Sequence, residues 1–193
     1  MAAEQDYLTD AAREALRLDA DAAYETLVPR LPRVEAKPAL DRMTSEGAVK
    51  NAVDADGEAC VRAALWLWHD FLDDSHTISQ GVETFEGSYW HGVMHRREGD
   101  FSNAKYWFRN AGDNDRLFPT LASHAAEVVR DEPLDKRLFA LSQGTWNPSQ
   151  FVDLCRAAHE EGEASPLWRP AIAMQQAEWR VMFDHCGRLA RGL

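Results

Sequence analysis

Three side chains that can bind a metal or move a proton recur at helical spacing in the middle of the chain. His91, His95 and Glu98 are separated by four and then three residues, which places them on one face of an α-helix. Neutral imidazole and carboxylate are standard ligands of zinc, iron and manganese. Imidazole also titrates near neutral pH, where a neighbouring carboxylate can orient it for general acid–base catalysis. The spacing therefore predicts a chemical site on this helix face.

A second stripe of similar chemistry lies shortly before the first one in the chain. His69, Asp73 and His76 share one helix face if a single helix continues through all three, and Trp66 lies one turn earlier on that face. Because the connection between the two stripes is short, we expect them to be spatial neighbours that form one site. The predicted metal ligands are His69, His76, His91, His95 and Glu98.

Three interpretations of the combined stripes are open. In the first, a divalent metal (Zn, Fe, Mn or Ni) bound by the histidines activates water or binds the substrate. In the second, no metal is bound and either His91 or His95 is the general base. Asp73 or Glu98 would then orient that imidazole. In the third, each histidine is satisfied by a carboxylate or a carbonyl in a structural polar network without chemistry. The predicted catalytic residues are His91, His95 and Asp73.

Basic and aromatic residues follow the second stripe. Arg96, Arg97 and Lys105 are candidates for binding a carboxylate or phosphate group, since arginine in particular suits such anions. Asn103 is a poor helix-interior residue, which indicates either solvent exposure or a specific partner. In the alternative, at least one of the arginines pairs with an acidic residue and Trp107 belongs to the core. The predicted substrate-binding residues are Arg96, Arg97, Lys105, Trp66, Trp90, Asn103 and Tyr106.

Helix signals indicate how the two stripes are positioned. The first stripe falls on an apolar helix predicted from about Gly57 to about Asp74. The helix of the second stripe is expected to begin at Ser88, a residue type that caps helix N-termini. Asp100 or Ser102 is expected to cap the helix after it.

The rest of the chain carries further helix signals. Residues 4–28 are rich in good helix formers and predict one or two amphipathic helices. Asn147-Pro148 and Ser165-Pro166 each predict a helix start, because proline is favoured in the first turn. Residues 77–87, a Gly-bounded connection, are expected either to move as a flap over the site or to pack rigidly.

Strand signals are poor throughout. No segment shows the alternation typical of a half-buried strand, and no Asn-Gly hairpin turn occurs. The sequence therefore predicts an all-α fold, a single compact helical domain of about six to eight helices. Residues 1–45 are expected to form N-terminal helices and a Pro-containing connection packed on the main domain. Residues 46–193 are expected to form the main helical domain that carries the site.

Charge and cysteine content restrict the partners. The formal net charge is −11, which argues against nucleic acid and anionic membranes as partners. The three cysteines form no C-x-x-C pair, so neither a disulfide framework nor a cysteine-based zinc site is expected. With no signal-peptide pattern and no apolar run of bilayer length, the chain is predicted to be cytoplasmic and to bind a small molecule. The sequence leaves the oligomeric state open, and a homodimer is compatible with it.

The segments that carry the stripes also carry a family resemblance. Three segments together resemble a family of uncharacterised bacterial and fungal proteins. They are SYWHGVMHRREGDFSNAKYWFR (residues 88–109), LWHDFLDDSHTISQ (67–80) before it and EWRVMFDHC (178–186) after it. The string W-H-x-x-M-H-R-R-E is the most specific part of the resemblance. That family has no established activity, so the resemblance supports the choice of segment and implies no reaction.

The residues alone predict a small-molecule enzyme, metal-dependent or metal-free, that acts on an anionic or polar metabolite. The alternative is a non-catalytic ligand-binding or interaction protein in which the cluster is a structural polar network. An open, concave pocket with unpartnered imidazole nitrogens favours catalysis or a metal, whereas a pocket closed to solvent, with every histidine tied to a carboxylate, favours the structural network.

Overall fold

Helices account for all the regular secondary structure longer than a single bridge in the described residues. The computed structural model describes residues 6–18, 20–130, 136–141 and 145–193. Its ten α-helices are α1 (Asp10–Arg17), α2 (Lys37–Glu46), α3 (Ala55–Trp68), α4 (Leu72–Ser79), α5 (Phe85–Glu98), α6 (Phe101–Ala111), α7 (Leu117–Val129), α8 (Lys136–Leu141), α9 (Pro148–Glu161) and α10 (Trp168–Ala190). The all-α prediction is confirmed, and the number of helices is higher than predicted.

The N-terminal part contains less α-helix than expected. Only α1 and a short 3-10 helix at Ala20–Ala22 fall within the described part of residues 4–28, and a second 3-10 helix covers Val34–Ala36. An isolated antiparallel bridge joins Leu8 to Val49. The predicted division between residues 45 and 46 falls inside α2 and stays a prediction.

Aromatic residues of α3 and α10 form the centre of the core. Trp68 and Trp179 pack with ring centroids 4.3 Å apart, and Phe183 stacks on Trp179 at 4.5 Å. The indole N–H of Trp179 donates to the carbonyl oxygen of Ala64 at 3.0 Å, which satisfies its polar edge. Among the described helices, none combines the length and the apolar composition that a membrane crossing needs.

The helix predicted to run to Asp74 is interrupted at residues 69–71, and that part of the prediction is wrong. α3 ends at Trp68, and Asp70 adopts a left-handed backbone conformation with φ of 64°. Aspartate tolerates this conformation better than most residues. Because α4 starts again at Leu72 in a new direction, His69 and His76 no longer share one helix face.

The start of α5 also differs from the prediction. Thr84, rather than Ser88, is the N-cap, and its hydroxyl accepts the backbone N–H of Gly87 at 3.3 Å. Since α4 extends to Ser79, the connection before α5 is much shorter than the loop predicted for residues 77–87. The cap predicted at Asp100 is confirmed, because its carboxylate accepts the backbone N–H of Asn103 at 3.0 Å.

Two further helix starts were predicted from proline. Asn147 caps α9 through the backbone N–H of Gln150, with Pro148 in the first position, as predicted. α10 begins at Trp168, two residues beyond the predicted Ser165-Pro166 start.

α5 and α6 pack closely at Gly92. A Cβ atom added to this glycine would lie 3.0 Å from two ring carbons of Phe108. The missing side chain therefore lets the two helices approach, which brings the polar face of α5 against one face of α6. α4 packs on the same part of α5, so the polar residues of the three helices meet.

Candidate metal centre at three histidines

His76 of α4 meets His91 and His95 of α5. The ring centroid of His76 lies 4.6 Å from that of His91 and 5.3 Å from that of His95. The rings of His91 and His95 stack with centroids 4.8 Å apart. One nitrogen of each ring lies within 4.8 Å of the nitrogens of the other two. We refer to these three residues as the histidine cluster.

His91 is the most enclosed member of the cluster. The residue is only 2% exposed to solvent, and neither ring nitrogen has a hydrogen-bond partner among the described residues. Burial, reinforced by the nearby His95 and His76, lowers the pKa of His91 to about 4, because the charged imidazolium loses its hydration. His91 is therefore neutral at physiological pH, the form in which imidazole binds metals.

His95 is held in a defined orientation by Glu98. The Nδ1 atom of His95 lies 2.9 Å from the Glu98 carboxylate, which can only accept a hydrogen bond, so the ring donates from Nδ1–H. With its hydrogen on Nδ1, the ring carries a lone pair on Nε2. The side-chain amide nitrogen of Asn103 lies 3.0 Å from that Nε2 and 3.4 Å from Nδ1. A carboxylate that orients a histidine in this way is common around metal ions.

α6 forms one wall of the site. Asn103 and Trp107 are four residues apart and so lie on one face of α6, where they contact His95 and His91 respectively. The indole of Trp107 stacks on His91 with centroids 3.9 Å apart and planes inclined by 15°. Asn103 is in the first turn of α6, because Asp100 caps this helix. Accepting the backbone N–H of Asn103 is the main reason that the pKa of Asp100 is lowered.

Two polar residues of the first predicted stripe lie outside the cluster. His69 is fully buried after the end of α3, where its Nε2 is 2.6 Å from the carbonyl oxygen of Ala15. It therefore joins the N-terminal helix to α3. Asp73 is exposed on α4 and is not among the three residues that lie close enough together to hold an ion. The helix break at residues 69–71 explains both positions.

The predicted anion-binding residues are paired with carboxylates elsewhere. Arg96 is buried in an ion pair with Glu178. Arg97 is fully buried in an ion pair with Asp70, and Lys105 pairs with Asp153 of α9 at 2.6 Å. The alternative interpretation of the arginines, pairing with acidic residues, is what the structure shows.

The arginine pairs belong to wider buried contacts. The Glu178 carboxylate also accepts the hydroxyl of Tyr89 at 2.9 Å, and that hydroxyl accepts the indole N–H of Trp146 at 3.0 Å. The guanidinium of Arg97 donates to the carbonyl oxygen of Thr26 at 3.0 Å and lies 3.8 Å from the ring centre of Tyr24. These contacts hold α5 against α10 and the N-terminal segment.

The aromatic residues predicted to bind substrate occupy two kinds of position. Trp66 packs against Phe71 with centroids 5.2 Å apart, and Trp90 is fully buried with its indole N–H 3.4 Å from the sulfur of Cys186. Both are core residues. Tyr106 is 50% exposed and contacts the edge of Trp107. Trp107, which was expected to lie in the core, is the aromatic residue that touches the cluster. Its position four residues after Asn103, on the same face of α6, is the sequence pattern that could have indicated this contact.

The cluster has the donor set of an open metal site. Catalytic zinc sites commonly have three protein ligands and one position for water or substrate. With metal–nitrogen distances of 2.0–2.1 Å in a tetrahedral arrangement, ligand nitrogens are roughly 3.4 Å apart, so the rings need to close by about 1 Å around an ion. His76 is only half-buried, which leaves room for this adjustment.

No protein-family model, curated protein or solved structure matches the chain. The resemblance of residues 88–109 to a family of bacterial and fungal proteins stays a prediction. Function is therefore inferred from the chemistry of the cluster and of the residues around it.

Proposed function

We propose that this chain is a small-molecule enzyme that binds a divalent metal through His76, His91 and His95 and acts on a polar metabolite. The observation that carries the proposal is the state of His91, which is buried with both ring nitrogens unpartnered among the described residues. The large majority of buried side-chain polar atoms have a partner, and leaving one without costs about 1–3 kcal/mol. A metal ion would satisfy one of these nitrogens.

The charge of such a centre favours hydrolytic or Lewis-acid chemistry. Three neutral imidazoles leave the full positive charge on a divalent ion, which can lower the pKa of bound water to about 7. The chain's own contribution is to hold the ligands. Glu98 fixes the ring of His95, and Trp107 covers one face of His91. Imidazole suits Zn, Fe and Ni, and the donor set alone does not select among them.

A non-catalytic role is the second candidate, and one set of contacts favours it. Several buried polar residues near the cluster, among them Arg96, Arg97 and His69, make contacts that join different parts of the fold. If the histidine cluster also served only to join helices, it would make the fold more rigid and would catalyse no reaction. His91 differs from these neighbours, because the described residues offer its nitrogens no hydrogen-bond partner.

Metal content tests the proposal directly. Untagged protein purified without chelators is analysed for metals beside the His91→Ala/His95→Ala double variant and the single variant His76→Ala, which removes a half-buried ring. The matched control is His124→Ala, which removes a histidine of α7 whose side chain is 45% exposed. We expect near-stoichiometric metal in the wild type and the control, and its loss in folded cluster variants. Metal-free wild type that takes up no Zn, Fe, Mn or Ni on reconstitution would leave the non-catalytic role.

A further inference from the structure

The surroundings of the histidine cluster restrict the molecule it can bind, if the metal-binding function proposed above holds. All Lys and Arg residues of the chain fall within the described ranges. α4 contains none, and α5 and α6 contain Arg96, Arg97, Lys105 and Arg109. The first three are in ion pairs with carboxylates. Arg109 follows Lys105 by four residues and so shares its face of α6, away from the cluster.

Carboxylates, by contrast, lie at the edge of the cluster. Glu98 is hydrogen-bonded to His95 with its side chain 51% exposed, and Asp100 is exposed at the start of α6. A phosphate or a second carboxylate on the bound molecule would meet these negative charges without a cation from the three site helices. The metal ion would be the only positive charge that attracts the bound molecule at this site. We therefore expect it to bind one oxygen-containing group of a molecule that carries no other charge.

Asn103 is placed to recognise that oxygen. Its amide nitrogen lies 3.0 Å from Nε2 of His95, the nitrogen whose lone pair a metal would take because Glu98 holds Nδ1. The two distances place this nitrogen over the face of the His95 ring and not on its in-plane lone pair, so a metal ion can bind Nε2 while the amide stays in place. The amide N–H then lies beside the ion, where it can donate to a metal-bound carbonyl oxygen, and a donor at this place stabilises charge on such an oxygen.

Trp107 supplies a flat apolar wall beside the same position. His91 covers one face of the indole at 3.9 Å, and the side chain is still partly exposed. Planar groups gain the most from an aromatic ring, because offset stacking places two flat surfaces in contact.

We propose that the site binds an uncharged aromatic or conjugated carbonyl compound, with its oxygen on the metal beside Asn103 and its plane against Trp107. Substrates that carry a phosphate or a second carboxylate are disfavoured. This assignment replaces the anionic metabolite expected from the paired Arg96, Arg97 and Lys105.

The test uses the full chain reconstituted with Co²⁺, whose visible absorption reports both binding of the ion and changes in its ligands. The probes are hydroxamates, which bind metals as monoanions through the carbonyl oxygen and the deprotonated N–O oxygen, so all of them present the same group to the ion. Benzohydroxamate is compared with acetohydroxamate for the planar group and with 4-carboxybenzohydroxamate for the second charge. We expect benzohydroxamate to bind about three- to tenfold more tightly than acetohydroxamate, the range expected for one aromatic contact. It should also bind more tightly than 4-carboxybenzohydroxamate, whose second carboxylate meets the negative charges of Glu98 and Asp100.

Two variants separate the roles of the wall residues. Trp107→Leu should abolish the preference for benzohydroxamate over acetohydroxamate, and Trp107→Phe should retain part of it. Asn103→Ala should weaken the binding of benzohydroxamate about three- to tenfold, as for one hydrogen bond, while Co²⁺ binds as tightly as in the wild type because the amide is not a metal ligand. If Asn103 had only a structural role, its replacement would weaken the binding of both benzohydroxamate and Co²⁺. Arg109→Gln is the control and should change neither affinity.

The outcomes distinguish this inference from the proposed function. If the protein binds Co²⁺ but shows no preference for benzohydroxamate, the ligand class is wrong and the metal site stands. The same holds if Trp107→Leu leaves that preference unchanged and Asn103→Ala leaves the affinity for benzohydroxamate unchanged. Tighter binding of 4-carboxybenzohydroxamate would also overturn the ligand class. If the wild type binds no Co²⁺, the metal site fails and the ligand class fails with it.

Discussion

The indole ring of Trp107 lies flat against the imidazole of His91, with ring centroids 3.9 Å apart. The two residues belong to neighbouring helices, so this contact exists only in the folded chain. Burial is the largest cause of the lowered pKa of His91. In the metal-free protein, Trp107→Leu should therefore raise that pKa from about 4 toward the ordinary value of 6.5. The titration of the histidine ring protons by NMR measures this directly.

The neighbouring tyrosine provides the control for this prediction. Tyr106→Leu removes a ring that contacts Trp107 and is half exposed, and it should leave the pKa of His91 near 4. An unchanged pKa in Trp107→Leu would show that the rest of the site, and not the indole, keeps His91 from water.

A second prediction concerns the ion pair between Arg97 and Asp70. Asp70→Asn keeps a residue that tolerates the left-handed backbone at φ 64° and removes only the charge. Arg97 is fully buried, and an uncompensated buried charge is strongly destabilising. We expect the free energy of unfolding to fall by about 3 kcal/mol, measured by chemical denaturation.

An exposed ion pair gives the matched comparison. Lys37 and Asp41 are four residues apart on α2, with a 2.7 Å contact and both side chains about half exposed. Asp41→Asn should change the free energy of unfolding by less than about 1 kcal/mol. Equal effects of the two substitutions would mean that Arg97 is not held in the enclosed position described above.

The break that Asp70 makes also marks the limit of what the sequence could predict. Helical periodicity identified the all-α class, the α9 start at Asn147-Pro148 and the cap of α6 at Asp100, because these depend on local side-chain chemistry. It did not identify the interruption after Trp68. The left-handed Asp70 is stabilised by Arg97, which is 27 residues away in sequence, and no local pattern reports such a partner.

The same distinction applies to the site. His91 and His95 were correctly placed on one face of α5, since both lie on one uninterrupted helix. His76 joins them only because α4 takes a new direction, and that change of direction excludes His69. Arg96 and Arg97 resemble ligand-binding residues in sequence, but their carboxylate partners, Glu178 and Asp70, come from other helices and turns. Residue type predicted the chemistry of the segment, and tertiary packing decided which residues carry it.

A third prediction concerns the close packing of α5 on α6. Gly92→Ala places a methyl group 3.0 Å from the ring of Phe108, and that ring is confined by Tyr89 at a centroid distance of 4.9 Å. The strain, about 1–3 kcal/mol, should exceed the gain of up to about 1 kcal/mol in helix propensity. We expect a net loss of about 1 kcal/mol in unfolding free energy, together with weaker binding of benzohydroxamate as Asn103 and Trp107 are pushed away.

Gly81→Ala is the control for the added methyl group. Its Cβ would lie 3.5 Å from the carbonyl oxygen of Ile78, an ordinary contact, so the unfolding free energy should stay within about 0.5 kcal/mol of the wild type. A neutral or stabilising Gly92→Ala would show that Phe108 can move aside without disturbing the interface between α5 and α6.

The fourth prediction is that acid destabilises the metal-free protein through His91. The pKa of His91 is about 4 in the folded chain, compared with an ordinary value of 6.5, so the unfolded chain binds this proton more readily. The free energy of unfolding should therefore fall as the pH decreases from about 6.5 to about 4, by roughly 1–3 kcal/mol from this residue. His91→Phe should make that pH dependence shallower, whereas His124→Gln, on the exposed side of α7, should follow the wild type. Denaturation curves recorded with chelator at intervals between pH 4 and pH 7 give the free energy of unfolding at each pH. If it changes with pH equally in His91→Phe and the wild type, His91 is as readily protonated in the folded chain as in the unfolded one.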